Sequence, residues 1–134
     1  MADKLHFDLV SPEQRLFEGE VDMVVVPGEE GEFGVLPGHA PLMSAIRMGA
    51  IAVHDGGQVT RTFIRGGFAE VTPDGLSVLA EEAIDLATFD ASGLDAEIQN
   101  AREDISAAKE DHEREHAEAA LARLEALRDA ARAA

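Results

Sequence analysis

The chain changes character at Phe89, and that break constrains its fold more than any single motif. Beyond it the sequence is built from Ala, Glu, Asp, Arg and Leu, with no proline and, after Gly93, no glycine. Such a composition favours helix, because these side chains lose little rotamer freedom there and nothing interrupts the backbone ladder. Before it, short β-type runs are divided by turn residues, the pattern of a sandwich or barrel. Strands are expected near 5–10, 14–17, 20–26, 42–46, 50–54, 58–65, 67–72 and 76–80. Asp55-Gly56-Gly57 and Pro73-Asp74-Gly75 supply residues that tolerate the positive φ of tight turns between them. In the run from Val21 to Val26 one alternating face is wholly apolar and the other nearly so, which predicts a strand covered on both sides. The fold class expected is therefore β + α: a β-sandwich or barrel over residues 1–88, then helices over 89–134.

Within the helical part, Leu94, Ile98, Ala101, Ile105 and Ala108 line one face at helical spacing. Asp90 or Ser92 is placed to cap the first turn, Ser92 with Asp95 in the capping-box position. A second stripe, Ala117, Ala120, Leu124, Leu127 and Ala131, has the same rhythm in another phase. Continuing the first stripe would bring His112 and Glu115 onto the apolar seam, so the pattern slips within "KEDHEREH". A turn there and two antiparallel helices follow. No glycine or proline enforces that turn, which leaves one long helix open to the same residues.

Charge narrows the partners. The 27 acidic residues against 11 basic ones give a formal net charge of -16 over 134 residues, and so acidic a surface repels nucleic-acid phosphates and anionic headgroups. Nucleic acid is not expected as a partner. No run reaches the roughly 20 apolar residues that cross a bilayer, and the opening "MADKLHFDLV" lacks the regions of a signal peptide, so no direct membrane insertion is expected. The absence of cysteine removes disulfides, thiolate metal sites and a thiol nucleophile, and fits a reducing compartment.

Three constellations invite a chemical reading. "HEREH", His112 to His116, matches H-E-x-x-H, where histidines one turn apart bind zinc and the glutamate acts as base. Zinc hydrolysis also needs a third ligand and a dry, closed surround; this motif sits in a charged stretch, and a solvated turn explains it better. His39 stands between Gly38 and Ala40, flanked by Pro37 and Pro41, with no serine, cysteine or carboxylate beside it. It reads as a fixed surface or interface group. Glu29, Glu30 and Glu32 could bind a divalent cation, but their spacing favours a solvated loop, with a docking surface for a basic partner as the third reading. No catalytic residue, metal or cofactor is expected.

The motifs "GEFGVLPGHAPLMSAI" (31–46), "RGGFAEVTPDGLSVLAEEAI" (65–84) and "FDLVSPEQRLFEGEVDMVVVPGEEG" (7–31) closely resemble the epsilon subunit family of bacterial F-type ATP synthases. The resemblance runs over the whole chain, with specific motifs in its first two thirds. It implies two five-stranded sheets followed by a helical hairpin, in a non-catalytic subunit of the central rotor that couples proton-driven rotation to ATP synthesis. The partners it implies are the gamma subunit and the c-ring, with the alpha and beta subunits reached through the terminal helices. By the same resemblance Glu29, Glu30, Gly31 and Glu32 face the c-ring, and His39 and Pro41 lie near gamma. The location implied is the cytoplasmic face of a bacterial inner membrane, peripheral to it.

The chain departs from the family pattern in its last third. Inhibition of ATP hydrolysis by an extended terminal helix uses positive charge against acidic segments, yet residues 113–134 set Arg114, Arg123, Arg128 and Arg132 against Glu113, Glu115, Glu118, Glu125 and Asp129. Weak inhibition is expected. Members that bind ATP carry an arginine where this chain has Gly93, so the cation that would pair with phosphate is missing and ATP binding is not expected. The competing reading from another class is a free-standing adaptor for an unrelated protein.

Overall fold

A computed structural model describes residues 3–133. Eight strands come first: β1 (Leu5–Val10), β2 (Arg15–Val21), β3 (Met23–Gly28), β4 (Gly31–Val35), β5 (Leu42–Ala45), β6 (Gly49–Asp55), β7 (Gln58–Thr72) and β8 (Gly75–Asp85). Two helices follow, α1 (Leu94–Ala107) and α2 (Asp111–Ala133). The chain divides into two compact units at Ala87/Thr88.

The β unit is a sandwich in which two strands serve both layers. Hydrogen bonding orders the strands β2-β1-β8-β7-β6-β3-β4, with β5 on β7. Leu42 to Ala45 of β5 pair with residues 68–71 of β7, and β1 pairs in parallel with residues 76–79 of β8. The other half of β7, residues 58–64, pairs with β6. One layer is thus β2, β1, the first half of β8, the second half of β7, and β5. The other is β4, β3, β6 and the remaining halves. The expectation of five strands per sheet is met with eight strands, because β7 and β8 are each counted twice.

The crossing is built at Gly66-Gly67. On one side Ile64 points into the core; on the other Ala69 and Val71 do. The inward parity therefore changes by one residue, as it does on β8 between Ala80 and Ala83. Strands that pass from one sheet to another need such a local rotation. Gly66 and Gly67 supply it at φ +72° and +125°, where a side chain would be strained. Leu5, Phe7, Leu9, Val24, Val26 and Ile51 fill the space between the layers and are essentially solvent-free.

Four sequence expectations need correction. The segments 58–65 and 67–72 are one strand, since the glycine pair bends the ladder without ending it. The run 20–26 is two strands: at Asp22 the backbone N–H turns to His54 O (2.9 Å), and the chain leaves its pairing with β1 for pairing with β6. Lys4 Nζ fixes that corner by binding both Asp22 and Asp55, at 2.6 and 2.7 Å, while Gly56 N–H donates to the other Asp22 oxygen. These bonds push the Lys4 ammonium up to about 12, Asp22 contributing most, and the Lys4 hydrogen bond in turn holds the Asp22 carboxyl below its ordinary value. Third, residues 31–35, absent from the expected strands, form strand β4, so Glu32 stands on a strand and only Glu29 and Glu30 are in the loop; Phe33 and Val35 alternate with Glu32 and Gly34 as a half-covered edge strand requires. Finally, β8 runs five residues past the expected end at 80.

In the second unit α1 buries Leu94, Ile98 and Ala101, and α2 buries Ala117, Leu124, Leu127 and Ala130. The helices form a hairpin, with Arg102 of α1 reaching Glu125 of α2 at 3.8 Å. The turn lies at residues 108–110, so "HEREH" falls in the first turns of α2, beyond the connection. Ala108, at φ −65° and ψ 130°, makes the break without glycine. Glu113 accepts from Lys109 N–H and Arg114 donates to Ala108 O, which occupies backbone groups that the missing helical turn would have satisfied. Neither expected cap operates: the first helix begins from Gly93 with no side-chain cap. Asp90 instead accepts from Ser92 N–H at 2.9 Å, a local turn that lowers its carboxyl pKa and removes it from the helix end.

Candidate docking face

The segment that carries His39 is a rigid turn. Leu36 O accepts from His39 N–H at 3.1 Å, Pro37 sits at the second position and Gly38 at the third with φ +83°, the arrangement of a type II turn. His39 Nδ1 lies 2.7 Å from Ala40 O; a carbonyl only accepts, so the proton is on Nδ1 and Nε2 carries the free lone pair. Among the described residues no carboxylate, serine or threonine hydroxyl is hydrogen-bonded to the ring, which denies it the aligned partner of a general base. The turn borders an open depression of about 560 Å³ shared with His6, Thr72 and Asp74.

The turn feeds directly into β5, and there the structure reveals what a linear reading missed. Ala45 pairs with Phe68, Phe68 with Leu79, and Leu79 with Val10 across three strand junctions. Phe68 and Leu79 point away from the core and are 57 % and 61 % exposed, and Met43, two residues along the same face of β5, is 66 % exposed. Ordinary surface strands put polar groups at such positions. A contiguous apolar row on the outer face of one sheet therefore adjoins the Pro37–Pro41 turn. Phe68 and Leu79 look like core residues in the sequence; only the cross-strand register, with the parity change at Gly66-Gly67, turns them outward.

At the end of the other layer, β3 and β4 are joined by the two-residue turn Glu29-Glu30, with Gly31 following at φ +136°. Glu29 N–H donates to Ala45 O at 3.0 Å and Arg47 N–H to Pro27 O at 3.0 Å, so this tip is tied to the end of β5. Glu29, Glu30 and Glu32 are all exposed, and none of their carboxylates has a partner among the described hydrogen bonds and ion pairs. The tip is stiff in its backbone and free in its charges.

The histidine motif has no such setting. His112 is 76 % exposed, its Nδ1 faces Glu110 at 3.2 Å, and the residues that could jointly hold an ion there are Glu110, His112 and Glu113, all exposed. Glu113, the base of the motif, would be a ligand in that grouping, and the open setting lacks the closed surround of a hydrolytic centre. The zinc-hydrolase reading fails on this geometry.

A model of the ATP synthase delta/epsilon chain β-sandwich domain matches residues 4–86. An ATP synthase epsilon chain from Maricaulis maris is 65% identical over 127 residues, covering 95% of this chain and 96% of that one. The chain belongs to the ATP synthase epsilon-chain family. A second family member, from Parvibaculum lavamentivorans, is 55% identical and covers 96% of this chain and 98% of its own length. Among solved structures, a chain of the Euglena gracilis mitochondrial ATP synthase, in an assembly described as OSCP/F1/c-ring, superposes with a TM-score of 0.85 at 26% identity, covering 97% of this chain and 82% of that chain. The expected fold class, a two-layer β-sandwich followed by paired helices, stands on both comparisons, and membership in the family displaces the free-standing adaptor.

Proposed function

We propose that this chain is a non-catalytic rotor-stalk subunit of the F-type synthase, gripping the gamma subunit with the apolar face of its first layer and resting its acidic β3–β4 tip on the c-ring. The observation that carries the reading is the row Met43, Phe68 and Leu79, exposed on a stiff sheet beside the Pro37–Pro41 turn. A monomer gains nothing from leaving such side chains in water, whereas an interface core uses them at roughly 25 cal/mol per Å² covered. A coupling element must also carry load without local deformation, which suits contact groups held by sheet and by proline and glycine turns. His39 and Pro41 form the rim of this grip. Glu29, Glu30, Gly31 and Glu32 present free carboxylates on a tethered tip, a suitable mate for basic or polar loops.

On this account residues 1–88 do the coupling and residues 89–134 form a separate helical domain with little inhibitory power. Gly93 has open space where a Cβ would stand and offers no cation for a phosphate, which supports absent ATP binding. No helix among the described residues is long and apolar enough to cross a membrane; attachment at the cytoplasmic face of the inner membrane would run through the partner subunits. The test is copurification of the tagged chain from membranes of its own host. Recovery of gamma with the chain, and its loss in Phe68→Asp/Leu79→Asp, supports the grip; equal recovery with and without the two substitutions overturns it.

A further inference from the structure

We propose that the outer edge of the β1–β2 pair is a binding site for a zinc-class divalent metal, with His6, Asp8 and Glu18 as ligands and Glu20 orienting the histidine. On β1 the inward residues Leu5, Phe7 and Leu9 leave His6 and Asp8 together on the outer face. The antiparallel register sets Glu20 opposite His6 and Glu18 opposite Asp8. Ligand atoms of His6, Asp8 and Glu18 all lie within 4.8 Å of one another. Tetrahedral zinc with bonds near 2.0–2.2 Å holds its ligands about 3.4 Å apart, so side-chain torsions of the half-exposed His6 and Glu18 suffice to close the set.

Two further features point to a cation. Each ring nitrogen of His6 faces a different carboxylate: Nδ1 lies 3.5 Å from Glu20 Oε2 and Nε2 lies 3.6 Å from Glu18 Oε2. A carboxylate on one ring nitrogen, fixing the tautomer and leaving the other nitrogen's lone pair for the metal, is the usual support of a zinc-bound histidine. Asp8 Oδ1 is also shut off from solvent and accepts no hydrogen bond; it meets a cation only at ion-pair range. Arg15 is the positive group on this face, with Nε 3.7 Å from Asp8 Oδ1 and Nη1 3.0 Å from Glu18 Oε1. Its side chain is 57% exposed, and it can swing into water when the metal enters. A nitrogen with two carboxylates suits zinc and its neighbours in softness and poorly suits magnesium. The site is invisible in the linear sequence because His6 and Asp8 alternate with core residues on β1 and Glu18 joins them only through the β1–β2 register.

The test is calorimetric titration of the full-length chain with Zn²⁺ in a non-chelating buffer, with ¹⁵N-detected histidine spectra. One equivalent should bind at micromolar concentration, with the His6 signals reporting metal on Nε2 and a proton on Nδ1. His6→Ala and Glu18→Gln should each weaken binding at least tenfold, and Glu20→Gln should weaken it about tenfold. The double variant His112→Ala/His116→Ala should leave it unchanged. Because Glu18 is exposed, Glu18→Gln keeps the test valid if His6→Ala proves unstable. Absence of stoichiometric binding, retention in both His6→Ala and Glu18→Gln, or loss in the His112/His116 variant would each overturn the proposal.

Discussion

Replacing Gly67 by alanine should be far more damaging than the same change at Gly38, where the added Cβ meets open space. An ideal Cβ on Gly67 would lie 1.9 Å from Leu79 O and 2.9 Å from Leu79 C. Both are backbone atoms of the paired strand β8, so no rotamer change relieves the contact, and the strands must part by about 1 Å to reach a tolerable separation. Overpacking of that kind costs about 1–3 kcal/mol. The φ of +125° adds strain of about 1–3 kcal/mol for any residue with a side chain. Together about 2–6 kcal/mol is lost from a domain whose total stability is on the order of 5–15 kcal/mol. For a β unit of this size the midpoint should fall by at least about 8 °C. Scanning calorimetry of the full-length chain measures this. Gly38→Ala is the internal control: its φ is +83° but nothing lies within 4 Å of the added Cβ, so only about 1–2 kcal/mol of strain applies. If Gly67→Ala melted within about 2 °C of the parent, or fell no further than Gly38→Ala, the parity switch at residues 66–67 would not be what permits β7 to serve both layers.

Further consequences can be checked alongside. Lys4→Met should lower stability near neutral pH. The Asp22 share of the deficit vanishes as pH falls from about 3.8 through the depressed folded value, and the Lys4 share vanishes as pH rises from 10.5 through about 12; parallel urea melts across pH read both limbs. Titration of the isolated chain with ATP should give no saturable heat at micromolar concentration, since Gly93 stands where a phosphate-pairing arginine would be needed. Removal of residues 90–134 should change ATP hydrolysis by the assembled enzyme less than twofold, a several-fold rise being the contrary result. Glu29→Gln/Glu30→Gln should leave thermal stability unchanged, because neither carboxylate holds the fold, while weakening retention of the chain on isolated c-ring.

The division into strands and helices was legible at Phe89 because periodicity and breaker residues change together there. The two tight turns at Gly56-Gly57 and Gly75 were legible for the same local reason. What eluded the sequence was tertiary in origin. Glycine has two uses, as punctuation and as a crossing point, and at Gly66-Gly67 the second prevailed because paired neighbours on β6 and β8 hold the strand together. Asp22 ends a strand although its flanks are apolar, because Lys4 and Gly56, remote in sequence, capture its carboxylate. His39 could be read as a fixed group from its prolines alone. The grip beside it could not, since Phe68 and Leu79 become neighbours only through the β7–β8 register.

The proposed grip requires this apolar row to be covered when the chain is in its complex. The protein has no cysteine, so Phe68→Cys introduces a single thiol whose labelling by a polar maleimide reads coverage directly. Labelling should be rapid in the free chain and at least tenfold slower in the assembled synthase, with the fast rate restored when the chain is released. Equal labelling rates in the free and assembled states would contradict it.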